Sequence, residues 1–220
     1  MPFNRGNLEN LICIETHNFP EIVCPTCKKG ILKFDETNLK SQETAKSKQV
    51  EKDEDHSPEN NQYIFSMLLI CDSPACGEPV MCVGDEYRRY EHDDESLEEV
   101  LRTILNPKFF YPTIELFKLD ESIPEKLRVK LLESFSCFFV DSFSCANKLR
   151  QTLEILLDEF KVPKCKKLHT RIDSKLRKAN NGLTPHADKL LSIIFIGNAG
   201  SHSGNIPVKR EDIIDAYEIF

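Results

Sequence analysis

Two cysteine pairs constrain this chain more than any other feature in it. Cys24-Pro-Thr-Cys27 is followed by Lys-Lys-Gly30, and Cys71-Asp-Ser-Pro-Ala-Cys76 is followed by Gly77. Thiolates two residues apart can both reach a tetrahedral metal, and a nearby glycine accommodates the tight turn. The second spacing is wider but still within reach. Each pair follows a strand-like run, EIV before Cys24 and YIFSMLLI before Cys71. The pattern predicts a structural zinc site with Cys24, Cys27, Cys71 and Cys76 as ligands. Four thiolates close the coordination shell and leave no position for a catalytic water. His17 and Cys82 are substitute ligands, and reduced thiols without metal are the alternative. Of the nine cysteines, Cys13, Cys137, Cys145 and Cys165 look like ordinary strand or helix residues. An odd count with no apolar signal-peptide core in MPFNRGNLEN points away from a disulfide framework and toward a cytoplasmic protein. No apolar run approaches the roughly 20 residues that span a bilayer, so no membrane partner is expected.

The rest of the chain divides by pattern. The expected fold class is α+β: a small zinc-ribbon β domain over 1–90, a connector over 91–122, and an all-α bundle of about five helices over 123–220. Residues 35–62 have hardly any apolar side chains and are expected to form a flexible insertion in the ribbon. SLEEVLRTIL in the connector suggests a short helix. From Pro124 the apolar period becomes helical. Leu127, Leu131, Phe135, Phe138 and Phe139 lie near one face, and Ala146, Leu149, Leu153, Leu156, Leu157 and Phe160 form a second stripe. A third helix is expected over about 166–179. A fourth runs from Thr184-Pro185 to a stop at Gly197, and a fifth lies in VKREDIIDAYEIF.

Charge is uneven. Residues 1–111 carry 12 Lys and Arg against 21 Asp and Glu, which argues against broad nucleic-acid binding by that half. The basic run of Lys161, Lys164, Lys166, Lys167, Arg171, Lys175, Arg177 and Lys178, with His169, could bind phosphates or form a solvated helix face. Gly197-Asn198-Ala199-Gly200-Ser201-His202 is either a helix cap and loop or a functional turn presenting Asn198 and His202. Arg150 is spaced to pair with Glu154, or to turn inward toward His169 or Asn198 as part of a structural polar network.

The segments CPTCKKG, CDSPACGEPVMCVG, IPEKLRVKLLESF, ANKLRQTLEILLDEF, KLHTRI, IGNAGSH and VKREDIIDAYEIF together resemble a bacterial family of unknown function that joins a zinc ribbon to a HEPN-like helical domain. That resemblance implies an association with restriction subunits and other bacterial defence genes. Some HEPN proteins are metal-independent ribonucleases that carry Arg, four to six residues, then His, often across a homodimer interface. His202 would be the motif His, but Phe195, Ile196 and Gly197 occupy the positions where Arg would stand. The leading expectation is therefore a non-enzymatic binding or scaffolding module with a protein partner or a homodimer, and no small-molecule cofactor. The alternatives are a ribonuclease using His202, with Asn198 and Arg150 or Arg177 as further candidates, and a nucleic-acid binder using the ribbon and the helix over 161–178. No nucleotide-binding loop, Rossmann fingerprint or protease motif is present.

Overall fold

A computed structural model describes residues 3–50, 60–92, 99–199 and 207–220. The chain forms two compact units, Asn4–Glu115 and Leu116–Phe220, the second including Phe3.

The first unit is not a small ribbon. It is a seven-stranded antiparallel sheet curled into a half-barrel. Its strands are β1 (Ile14–Glu15), β2 (Ile22–Val23), β3 (Ile31–Lys33), β4 (Leu39–Glu43), β5 (Tyr63–Cys71), β6 (Pro79–His92) and β7 (Glu99–Tyr111). The order is β1-β7-β6-β5-β3-β2, and β4 also pairs with β5. Two short helices, α1 (Arg5–Ile12) and α2 (Ala45–Val50), complete the unit. β5 and β6 alternate as half-buried strands should: Phe65, Met67, Leu69 and Cys71 point inward, as do Val80 and Cys82. Leu8, Leu11, Ile14, Leu105 and Phe110 fill the same core.

Two further expectations change here. The polar stretch after Asp35 is not uniformly loop: Leu39–Glu43 pairs with β5 from Leu39↔Met67 to Glu43↔Tyr63. Backbone hydrogen bonds hold this strand, and its three central residues, Lys40, Ser41 and Gln42, are exposed, so hydrophobic alternation could not reveal it. Ser41 nevertheless contributes a hydroxyl to the buried carboxylate of Glu86. Residues from Glu99 that suggested a helix are strand β7, paired with β6 from Met81↔Tyr111 to His92↔Glu99. The pairing carries a bulge between Val83 and Gly84.

The second unit contains α3 (Glu125–Phe138), α4 (Ser142–Glu159), α5 (Leu168–Ser174), α6 (Ala187–Ala199) and α7 (Arg210–Tyr217). The helices stand where the apolar period placed them, yet the unit is not the HEPN-like bundle the resemblance implied. Their lengths are 14, 18, 7, 13 and 8 residues. The third expected helix is only the seven-residue α5, followed by a 3-10 turn over Leu176–Lys178. Asp141 caps α4 by accepting from the Phe143 amide at 2.9 Å. The core gathers Leu127, Leu131, Leu149, Leu153, Ile193, Ile213 and an aromatic cluster of Phe117, Phe135, Phe138 and Tyr217. No helix among the described residues is long and apolar enough to cross a membrane.

Candidate metal centre

The sheet brings the two cysteine pairs together through its register. Cys24 and Cys27 lie in the β2–β3 turn, and Cys71 and Cys76 span the β5–β6 turn. Pairing of β3 with β5, Leu32 opposite Cys71, sets the two turns side by side. Asp72 ties them directly: its amide donates to the Ile31 carbonyl at 3.0 Å, and its Oδ1 accepts from the Ile31 amide at 2.8 Å. Lys33 adds an ion pair to Asp72 at 3.5 Å. Inside the first turn the Cys24 amide donates to the Gly30 carbonyl and the Lys28 amide to the Cys24 carbonyl.

The left-handed residue of the first turn is Lys28, with φ 58°, whereas in the second it is Gly77, with φ 62°. Gly30 was expected to ease the turn, but its role is one of space. A Cβ there would overlap Sγ of Cys71 and stand 3.0 Å from Asp72 Oδ1.

All four sulfur atoms lie within 4.8 Å of one another. Cys24 and Cys76 sulfurs are 3.8 Å apart, and those of Cys27 and Cys71 are 3.7 Å apart. These separations are far too long for a disulfide at about 2.05 Å. They equal the edge, about 3.8 Å, of a tetrahedron whose Zn–S bonds are about 2.3 Å. Cys24 and Cys71 are buried and Cys27 and Cys76 partly so. Donor type, number and spacing thus fit a four-coordinate metal ion.

Electrostatics of the bare thiols agree with that geometry. The amides of Gly30 and Lys29 donate toward Cys27 and hold its thiol down at about 6, the Gly30 bond being 3.3 Å long. Burial pushes Cys71 up to about 12. Four neighbouring thiols cannot all ionise in the absence of a cation, because each new charge is desolvated beside another. A bound dication reverses that balance for the whole set.

The other candidates sit elsewhere. His17 faces Glu15 at 3.6 Å, and Cys82 is a core residue of β6 whose thiol is pushed up by burial. Neither joins the four cysteines, the one such cluster among the described residues. Cys145 is buried, Cys137 and Cys165 are half-buried, and Cys13 is exposed with its sulfur 3.0 Å from the Tyr87 hydroxyl. His202 lies outside the described residues. Gly197 does not end its helix: α6 continues to Ala199. Its missing side chain serves contact with α4, since a Cβ would be 3.1 Å from Arg150 Cβ. Arg150 pairs with Glu154 at 3.8 Å, and it also shares a cavity with His169 and Asn198. Arg177 is engaged by Asp173 and Asp188. The sequence pattern did not disclose Asp72, because a carboxylate between two knuckle cysteines has no distinctive spacing.

Residues 13–110 match the model of a domain of unknown function (DUF8608), and residues 132–220 match that of a second domain of unknown function (DUF4145). No curated protein and no solved structure matches the chain. The single family suggested by the ordered segments is therefore found as two family models, one on the sheet and one on the helices.

Proposed function

We propose that Cys24, Cys27, Cys71 and Cys76 hold a structural zinc ion, and that the chain is a non-enzymatic binding or scaffolding module of the cytoplasm. The observation that carries this reading is the set of four sulfurs at tetrahedral separation, two of them buried. An all-cysteine shell favours zinc among common divalent ions and leaves no open position for chemistry. It also requires thiols kept reduced, which suits the cytoplasm.

A second observation supports the binding role. The outer face of the sheet beside the cysteine turns carries exposed Ile70, Met81, Phe109 and Tyr111. Register places Tyr111 beside Met81 and Phe109 beside Val83, and the Phe109 and Tyr111 rings stack at 6.4 Å. Clustered apolar side chains of this kind mark protein-contact surfaces. The zinc ion would fix the turns next to that surface.

Native mass spectrometry of protein purified without added metal should find one zinc per chain. Cys24→Ser with Cys71→Ser should abolish it and destabilise the sheet unit. Unchanged metal content in that variant would overturn the zinc assignment. For the surface, sedimentation of wild type and a Met81→Ser/Tyr111→Ser variant tests contact between copies. A protein that self-associates in wild type and not in the variant supports the homodimer form of the reading.

A further inference from the structure

The helical unit contains a cavity of about 560 Å³ between α4, α5 and the end of α6, a volume within the usual range for small-molecule sites. Five cationic side chains line it, those of Arg150, Lys164, Lys166, Lys167 and Arg171, against the carboxylates of Glu154 and Asp158. The carboxylates do not neutralise it. Asp158 is taken up by Arg171 at 2.6 Å and by Lys164 at 3.4 Å. Glu154 stands 3.8 Å from Arg150, beyond a hydrogen bond.

Two donors in this wall lack any acceptor among the described residues. Nε of Arg150 and Nε of Arg171 are both buried without a hydrogen bond. Arg171 is only 5% exposed. Its position is fixed by Nη2, which donates to the Val162 carbonyl and the Asp158 carboxylate, each at 2.6 Å, and by Nη1, which donates to the Glu154 carbonyl at 3.4 Å. A buried donor left unmade costs roughly 1–3 kcal/mol, and native proteins rarely leave one without a reason. The Arg150 side chain as a whole is 32% exposed, so an anion in the cavity meets its outer guanidinium nitrogens.

One feature beside the cavity narrows the class of anion. Phe195 of α6 is 64% exposed, and its ring stands edge-on to that of His169 at 6.4 Å. A large exposed ring next to a cationic wall offers a stacking surface for a base beside a seat for its phosphate.

We propose that this cavity binds the phosphate group of a nucleotide, with Arg150 as the principal ligand, Lys166 and Lys167 as rim charges, and Phe195 under the base. The phosphate comes from a free nucleotide or from a single-stranded chain, and the chemistry recognised is the same. The site is independent of the metal centre.

Calorimetric titration of the full, zinc-loaded chain with AMP, inorganic phosphate and a short single-stranded oligoadenylate tests this. AMP should bind at moderate salt, and Arg150→Gln should weaken it about tenfold or more, the size of a lost charge-assisted hydrogen bond. Lys166→Gln/Lys167→Gln, which alters exposed positions only, should weaken it in the same direction. Phe195→Ser should weaken AMP while leaving inorganic phosphate unchanged. Binding of the oligonucleotide alone, lost in the same variants and falling steeply with salt, would identify a chain phosphate as the source. The proposal is overturned if neither AMP nor the oligonucleotide binds, or if binding survives both the arginine and the lysine variants.

Discussion

Gly30 has no side chain because Sγ of Cys71 occupies the space where one would go, with Asp72 Oδ1 and Ser73 Cβ each 3.0 Å from the position of a Cβ. The contact joins the first cysteine turn to the second. Gly30→Ala should therefore act on the proposed metal site itself. The added methyl must displace Cys71 or separate the turns, at the roughly 1–3 kcal/mol typical of overpacking. We expect the variant to fold with zinc but to lose it to a competing chelator at a lower chelator concentration than wild type. Equal chelator midpoints would show that the turns yield without moving the sulfurs.

Gly84 answers to a different constraint. It stands on β6 opposite the bulge in β7, where a Cβ would overlap the Asn106 carbonyl oxygen and lie 2.8 Å from the Phe65 ring and 2.9 Å from Pro107 Cα. Two of these obstacles, Asn106 and Pro107, are backbone and cannot rotate away. Gly84→Ala should destabilise the sheet unit by about 1–3 kcal/mol even with zinc bound, which separates it from Gly30→Ala. Chemical denaturation with excess zinc measures this. A wild-type midpoint would mean that the bulge relocates at no cost.

These two glycines show what could be read in advance and what could not. The clustering of the four cysteines was legible because pairs of thiols at these spacings, each beside a turn, are what a shared metal ion would require of the chain. The helices were legible because their apolar residues recur every third or fourth position, as with Leu127, Leu131 and Phe135. The extent of the sheet was not. β7 carries Leu101, Ile104 and Leu105 at spacings that also suit a helix, and only its long pairing with β6 decides the matter. Leu39–Glu43 has almost nothing to bury and is held by its ladder to β5. Arg150 was expected either to pair with Glu154 or to turn toward His169 or Asn198 in a polar network. Their convergence on one cavity, and the unmatched Nε atoms in its wall, depend on packing that no local pattern encodes.

Tyr217 and Ser134 form a buried pair that can be taken apart. The Ser134 hydroxyl donates to the Leu131 carbonyl at 2.6 Å, so the Tyr217 hydroxyl, 2.9 Å away, donates to Ser134. Burial raises the tyrosine well above its ordinary range. Tyr217→Phe keeps the ring among Phe117, Phe135 and Phe138 and removes one hydrogen bond, at about 0.5–1.5 kcal/mol. Ser134→Ala leaves a buried hydroxyl with only the weak Cys145 sulfur at 3.3 Å and should cost more, about 1–3 kcal/mol. The double variant should be more stable than the sum of the two losses predicts. Additive losses, or a phenylalanine variant worse than the alanine one, would contradict the assigned donor direction.

Glu133 gives the helical unit a pH-dependent contribution whose sign is fixed by its neighbours. Lys130 and Lys148 reach its Oε2 at 2.7 and 2.6 Å. Their hydrogen bonds hold the carboxyl below its ordinary range, with Lys130 the larger influence. A carboxylate depressed in the folded state stabilises it at every pH above the unfolded value, about 4.3. That contribution is lost as pH falls through the folded value. The three side chains are partly exposed, so the effect is limited to the roughly 0.2–1 kcal/mol of screened pairs. Glu133→Gln should therefore be less stable than wild type by that amount at neutral pH and low salt. The difference should shrink in about 1 M salt and vanish in acid, where both side chains are neutral. Urea midpoints of the two proteins in these three conditions decide it, and a difference that persists unchanged in acid would assign the loss to packing rather than to charge.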